Sequence, residues 1–190
     1  PPPPPPPEQV AAGFRKLSEQ VVFEGALITV SQATFADPSG ATFERDVVHH
    51  PGAVSVVPVL DGGTSVLMLR QYRAAIDREL LEIPAGKRDV AGEDLEALAA
   101  RELQEEVGRR AGSLHKLAEL YTSPGFCDEH LVIYLATQLT EVAAAAQGIE
   151  ERHMTVEEVA LADVPGLIAS GTLMDAKSIM GLTLARDALE

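Results

Sequence analysis

Three carboxylates crowd one short stretch of this chain. In Arg101-Glu102-Leu103-Gln104-Glu105-Glu106-Val107-Gly108, Glu102 and Glu106 stand four residues apart, with Glu105 beside them. On a helix, positions four apart stack on one face. Like charges placed so closely repel, and a divalent cation between them, with phosphate oxygens on its far side, relieves the repulsion. Leu95, Ala99, Leu103 and Val107 follow the spacing of a core-facing stripe. At about 100° per residue, Glu106 projects within that stripe and Glu102 at its edge. A carboxylate turned toward a core must be neutralised, paired or bound to metal. The same residues also suit an ordinary acidic helix in which Arg101 pairs with a neighbour.

Such a helix needs ends and a scaffold. Gly108 is placed to terminate it, and Asp94 or Glu93 sets negative charge at its positive end. Ahead of it, strand-like runs cover Gln20 to Phe23, Ala26 to Phe35 and Thr42 to His49. Asp37-Pro38-Ser39-Gly40 is a turn between the last two. Ala53 to Leu60 and Ser65 to Tyr72 flank Asp61-Gly62-Gly63, which reads as a hairpin turn. Further strands are expected over Glu79 to Pro84, Leu114 to Tyr121, His130 to Thr137 and Met154 to Leu161. Helices are expected over Glu8 to Leu17, Asp163 to Ser170 and Asp175 to Ala188. Strands interspersed with a few helices make a mixed α/β sandwich.

The segment Gly86 to Arg109 resembles the Nudix box, G-x5-E-x7-R-E-U-x-E-E-x-G-U, where U is a bulky apolar residue. Gly86, Glu93, Arg101, Glu102, Leu103, Glu105, Glu106 and Gly108 fill pattern positions. Two departures are visible. Six residues separate Gly86 from Glu93, an insertion a loop absorbs cheaply, and Arg109 stands where an apolar residue is expected. More narrowly the chain is similar to the ADP-ribose pyrophosphatase branch. The matching stretches are His50-Pro51-Gly52-Ala53-Val54, Arg70-Gln71-Tyr72-Arg73, Leu81-Glu82-Ile83-Pro84-Ala85-Gly86, Ser123-Pro124-Gly125 and Asp175-Ala176-Lys177. Pro124 lies sixteen residues beyond Gly108, the branch's marker for ADP-ribose.

The resemblance implies an α/β/α sandwich with a small N-terminal antiparallel sheet that is exchanged or packed across a homodimer. It divides the chain into a proline run at 1–7, an N-terminal β subdomain at 8–50 and the hydrolase domain at 51–190. It implies Glu102, Glu105, Glu106 and the carbonyl of Ala85 as ligands of Mg²⁺, with Mn²⁺ as a substitute. Gly86, Glu93 and Arg101 would orient those ligands. Arg73 would contact the diphosphate, and Arg70, Glu82, Pro124 and Gly125 would also line the substrate. Glu151 or Glu150 would be the base that activates water. The implied reaction is hydrolysis of ADP-ribose to AMP and ribose 5-phosphate. Other nucleotide sugars, dinucleotide polyphosphates or a sensing role without cleavage are the alternatives.

Composition sets limits around that expectation. A formal net charge of −14 over 190 residues argues against a nucleic-acid backbone as partner. It also means that an anionic substrate needs local cations. The single cysteine, Cys127, forms no intrachain disulfide and fits a reducing compartment, so a cytoplasmic location is expected. No apolar run reaches the ~20 residues of a membrane span. Pro1 to Pro7 favours an extended polyproline helix and packs no core.

Overall fold

A computed structural model describes residues 13–88, 90, 92–144 and 153–189. The chain divides into two compact units. The first runs through His50 and includes Ser123–Glu129; the second comprises Pro51–Thr122 and His130–Glu190.

The first unit is a three-stranded antiparallel sheet in the order β1-β2-β3, with β1 at Arg15–Glu24, β2 at Thr29–Ala36 and β3 at Thr42–His49. The described part of the helix expected over Glu8 to Leu17 is not helical. Residues 15–17 belong to β1, which pairs with β2 from Arg15↔Ala36 to Glu24↔Thr29, and residues 8–12 lie outside the described residues. That ladder shifts register between Lys16 and Ser18 and between Val21 and Phe23, yet it pairs most of the segment and outweighs a short helix's local preference. Asp37 organises the β2–β3 turn by accepting hydrogen bonds from the backbone N–H of Ser39 (2.8 Å) and Ala41 (2.9 Å). Ser123–Glu129 lies along β3: Val48 N–H donates to Phe126 O at 2.7 Å, and Asp128 N–H to Val48 O at 3.1 Å. His49 bridges Asp128 at 2.6 Å and Glu19 at 2.7 Å.

Among the described residues, the second unit holds two sheets and three α-helices. β4 (Ala53–Pro58) and β5 (Ser65–Arg73) do not form the extended hairpin that Asp61-Gly62-Gly63 suggested. They share one bridge, Val59↔Val66, then part into different sheets. β5 pairs with β6 (Arg78–Glu82) and β10 (Thr155–Ala160). β4 pairs with β7 (Ala85–Lys87) and, in parallel, with β9 (His130–Glu141), giving the order β7-β4-β9-β8 with β8 at Arg109–Tyr121. Each strand is buried along most of its length and has a partner on both edges, so neither is available to the other. β8 starts immediately after the box helix, five residues ahead of the strand expected at Leu114. Arg109 there pairs with Glu141 at 2.9 Å, which gives its charge a partner on the neighbouring strand.

Alternation along the strands sorts two cores. Val54, Val56, Leu67 and Leu69 pack with Leu98, Ala99, Leu103 and Val107 of α1 (Leu95–Val107). Val57, Val59, Val66 and Met68 pack with Leu182 and Ala185 of α3 (Ala176–Leu189). The short α2 covers Val164–Ala169. Gly181 allows α3 to sit close: a Cβ there would lie 2.9 Å from Ile83 Cδ1 and 3.0 Å from Val57 Cγ2. Helices on opposite faces of sheet make the expected α/β/α layering.

Candidate functional site

The box helix forms where its sequence signals put it. Asp94 is the N-cap, accepting from the N–H of Glu96 (3.0 Å) and Ala97 (3.2 Å). Gly108 closes the helix at φ 62°, a left-handed conformation a side chain disfavours, and its N–H reaches Gln104 O at 3.1 Å. Between these caps Glu106 is buried, at 7 % exposure, and accepts a hydrogen bond from the Ala85 N–H at 3.0 Å. Glu102 closes on the next residue: a Cβ on Gly86 would lie 2.0 Å from Glu102 Cδ. Both carboxylates therefore press onto Ala85–Gly86, and only glycine fits beneath Glu102.

The approach to this segment is a change of sheet. β6 ends at Glu82, and Ile83-Pro84 carries the chain across to β7, where Ser55↔Ala85 and Val54↔Gly86 pair with β4. Pro84 has no N–H to leave unpaired at the crossing, and its carbonyl accepts from Val56 N–H at 2.9 Å.

Arg101 takes a central place among the acids. It pairs with Glu93 (3.1 Å), Glu102 (3.1 Å) and Glu105 (3.2 Å). Glu93 first, then, against burial, Glu102 and Glu105 hold its proton more tightly than usual. The Arg101 hydrogen bond in turn lowers the Glu93 carboxyl. The side chains of Glu102 and Glu105 are 12 % and 15 % exposed, so these are not acids spread over a wet surface. Among the described residues, no group of three or more His, Cys, Asp or Glu forms a ready-made metal cage. The donor types (carboxylates beside a backbone segment held open by glycine) suit a hard divalent cation.

Arg73 and Glu82 form one unit. Glu82 is 1 % exposed and accepts from Arg73 Nε at 2.7 Å and Nη2 at 2.6 Å, a bidentate pair. Lys177 Nζ also donates to Glu82 Oε2. Burial works to raise the Glu82 carboxyl, yet Arg73 and Lys177 hold it below the usual carboxylate range. The Glu82 hydrogen bond raises Arg73, with Asp175 and Glu106 adding to it through space. Arg70 is turned elsewhere, into a cross-strand pair with Glu157 at 2.6 Å and 3.1 Å.

Pro124 and Gly125 belong to the first unit. They sit in a turn where the N–H groups of Phe126 and Cys127 donate to Ser123 O at 3.1 Å and 2.9 Å. Glu150 and Glu151 lie outside the described residues. Lys177, Asp175 and Ser178 were not foreseen at the site. Their sequence signal was the stretch Asp175-Ala176-Lys177 at the start of the helix expected over Asp175 to Ala188, which spacing alone does not connect to Glu82.

Comparison with known proteins bears on this arrangement. The NUDIX domain family model matches residues 49–174. The chain is 37% identical to an ADP-ribose pyrophosphatase of Bacillus subtilis (strain 168) over 164 residues, covering 86% of this chain and 88% of that protein. It is 38% identical to an ADP-ribose pyrophosphatase of Mycobacterium tuberculosis (strain ATCC 25618 / H37Rv) over 169 residues, covering 89% and 81%. The crystal structure of an ADP compounds hydrolase superposes with a TM-score of 0.81 at 24% identity, covering 93% of this chain and 94% of that one, a likeness of fold. With the box on its helix, the acids folded onto Ala85–Gly86 and the family model matched over most of its length, this chain belongs to the NUDIX domain family.

Proposed function

We propose that this protein hydrolyses the pyrophosphate bond of ADP-ribose, yielding AMP and ribose 5-phosphate, with Mg²⁺ as its cofactor and Mn²⁺ able to replace it. The observation that carries the reading is the closure of Glu102 and Glu106 onto Ala85–Gly86. The two pyrophosphatase relatives supply the substrate.

Glu102, Glu105, Glu106 and the Ala85 carbonyl would hold the cation, which supplies neutralisation of the diphosphate and a lowered pKa for the attacking water. Arg101 pairs with Glu102 and Glu105 and aims them, and Glu93 steadies Arg101. Arg73, fixed by Glu82, presents a planar cation to the diphosphate. In the chemical step a water oxygen bonds to phosphorus while the bridging P–O bond breaks, and Glu151, or Glu150, takes the water's proton. Arg73, Lys177 and Arg101 are the local cations an anionic substrate needs on a chain of net charge −14. Glu82 serves the proposed contact by holding Arg73 and Lys177 in place.

The protein would act as a homodimer through its first unit. β1 is an edge strand exposed along its whole length, and it displays Leu17, Val21, Val22 and Phe23. Among the described residues no helix is long and apolar enough to cross a membrane. A cytoplasmic location rests on the single cysteine.

Incubation with ADP-ribose and Mg²⁺ or Mn²⁺, followed by chromatography, should show AMP and ribose 5-phosphate in equal amounts. Intact ADP-ribose after incubation with stoichiometric protein and either metal would overturn the reading. A panel of nucleotide sugars and dinucleotide polyphosphates run alongside ranks the alternatives.

A further inference from the structure

Beyond the box, α3 reaches the same segment from the opposite face of the sheet. Lys177 divides its ammonium between Glu82 and Asp175, the latter at 2.9 Å. Asp175 also accepts from the N–H of Ser178 at 2.9 Å and from its hydroxyl. That hydroxyl accepts from Ile83 N–H at 2.8 Å, deep in the core: Ser178 is 0 % and Ile83 1 % exposed. Two residues further on, the Ala85 N–H donates to Glu106. The first turn of α3 therefore grips the β6–β7 crossing twice, at the Glu82 side chain and at the Ile83 backbone.

The charges explain why a lysine stands there. Glu82 and Asp175 carry two negative charges, and Arg73 and Lys177 two positive ones. Without Lys177, both acids would face the guanidinium alone. Arg73 would be drawn toward them, and its field would be spent on internal carboxylates before an anionic ligand arrived. Serine is equally specific: its hydroxyl donates to Asp175 while accepting from Ile83, so alanine would leave a buried N–H unpaired.

We infer that Lys177 and Ser178 are positioning residues of this site. Lys177 sets the Arg73 guanidinium through Glu82, and Ser178 sets the Ala85 backbone through Ile83. The inference rests on the proposed function, in which Arg73 meets a diphosphate and Ala85 meets a cation.

The test measures ADP-ribose kinetics and, separately, Mn²⁺ binding by calorimetry without substrate. Wild-type protein is compared with Lys177→Met, Lys177→Arg and Ser178→Ala. Lys177→Met should raise KM about tenfold with a smaller change in kcat, the scale of one lost charge-assisted contact, and Lys177→Arg should recover most of it. Ser178→Ala should weaken Mn²⁺ binding severalfold while leaving KM nearer the wild-type value. A lowered melting temperature with wild-type KM in Lys177→Met and wild-type Mn²⁺ affinity in Ser178→Ala would reduce both residues to structural ties and overturn the inference. If Lys177→Met does not fold, Asp175→Asn, which weakens the same relay, is read by the same criterion. Wild-type protein that neither binds nor cleaves ADP-ribose would overturn the functional reading and this inference together, an outcome distinct from active wild type with unaffected variants.

Discussion

Replacing Gly86 by alanine perturbs the site at a single atom. The added Cβ would stand 2.0 Å from Glu102 Cδ, 2.1 Å from Oε1 and 2.3 Å from Cγ. Non-bonded carbons settle at about 3.5 Å or more, so roughly 1.5 Å of separation must be found. The backbone at Gly86 is held by its register opposite Val54, so the side chain of Glu102 is the part that moves. A displacement of about 1 Å in a catalytic group costs on the order of 100-fold, or about 2.7 kcal/mol of barrier. Gly86→Ala should therefore lose about 100-fold in kcat/KM and need more metal for half-activation, while its melting temperature changes little. Gly166→Ala is the matching control. It lies in α2, has open space around the new Cβ, and should keep full activity with unchanged or slightly raised stability. Wild-type kcat/KM and wild-type metal response in Gly86→Ala would refute the placement of Glu102 in the reaction.

Other outcomes follow from the same geometry. Glu106→Gln keeps an acceptor for the Ala85 N–H but removes the charge; it should fold normally and lose about 1,000-fold in kcat, about 4 kcal/mol, and near wild-type turnover would count against it. His49 is raised above 6.5 by its hydrogen bonds to Asp128 and Glu19. Its stabilisation of the first unit is fully present below the unfolded value and is lost as pH rises through the raised one. Glu19 is lowered by Lys16 and His49, and Asp128, despite burial, by His49 and the His50 N–H; their contributions disappear instead as pH falls through those lowered values. Amide exchange at Asp128 should therefore quicken on the alkaline side of the His49 titration followed by NMR, and a His49→Gln protein with the same alkaline rise would exclude this cause. Among the described residues, Ser55 Oγ is the one buried side-chain polar atom without a hydrogen-bond partner. Ser55→Ala should leave stability unchanged or raise it by up to about 1 kcal/mol in urea unfolding, and a loss of that size would show that the hydroxyl has a partner.

Much of the box was legible along the chain because its determinants are local. The stripe at Leu95, Ala99, Leu103 and Val107 predicts which face is buried, and helical geometry then carries Glu106 inward and Glu102 to the edge. Gly108 follows from the same logic, since a left-handed terminus selects glycine. Local reasoning failed where pairing was decided at a distance. The turn at Asp61-Gly62-Gly63 is real, but the strands it joins belong to different sheets because β9, β7, β6 and β10 take their edges. Residues 15–17 became strand because β2 offered Ala36 and Phe35 as partners to Arg15 and Lys16.

The order of residues by itself determined the acid-bearing helix, its caps and the crowding that calls for a cation, because each depends on neighbours within a turn or two. The tertiary structure alone decided that Gly86 lies beneath Glu102, that Arg73 is held by a buried Glu82, and that Lys177 and Ser178 arrive there from a helix about 95 residues further along. Such contacts arise from closing the sandwich, where the packing of two cores sets distances that no local spacing encodes.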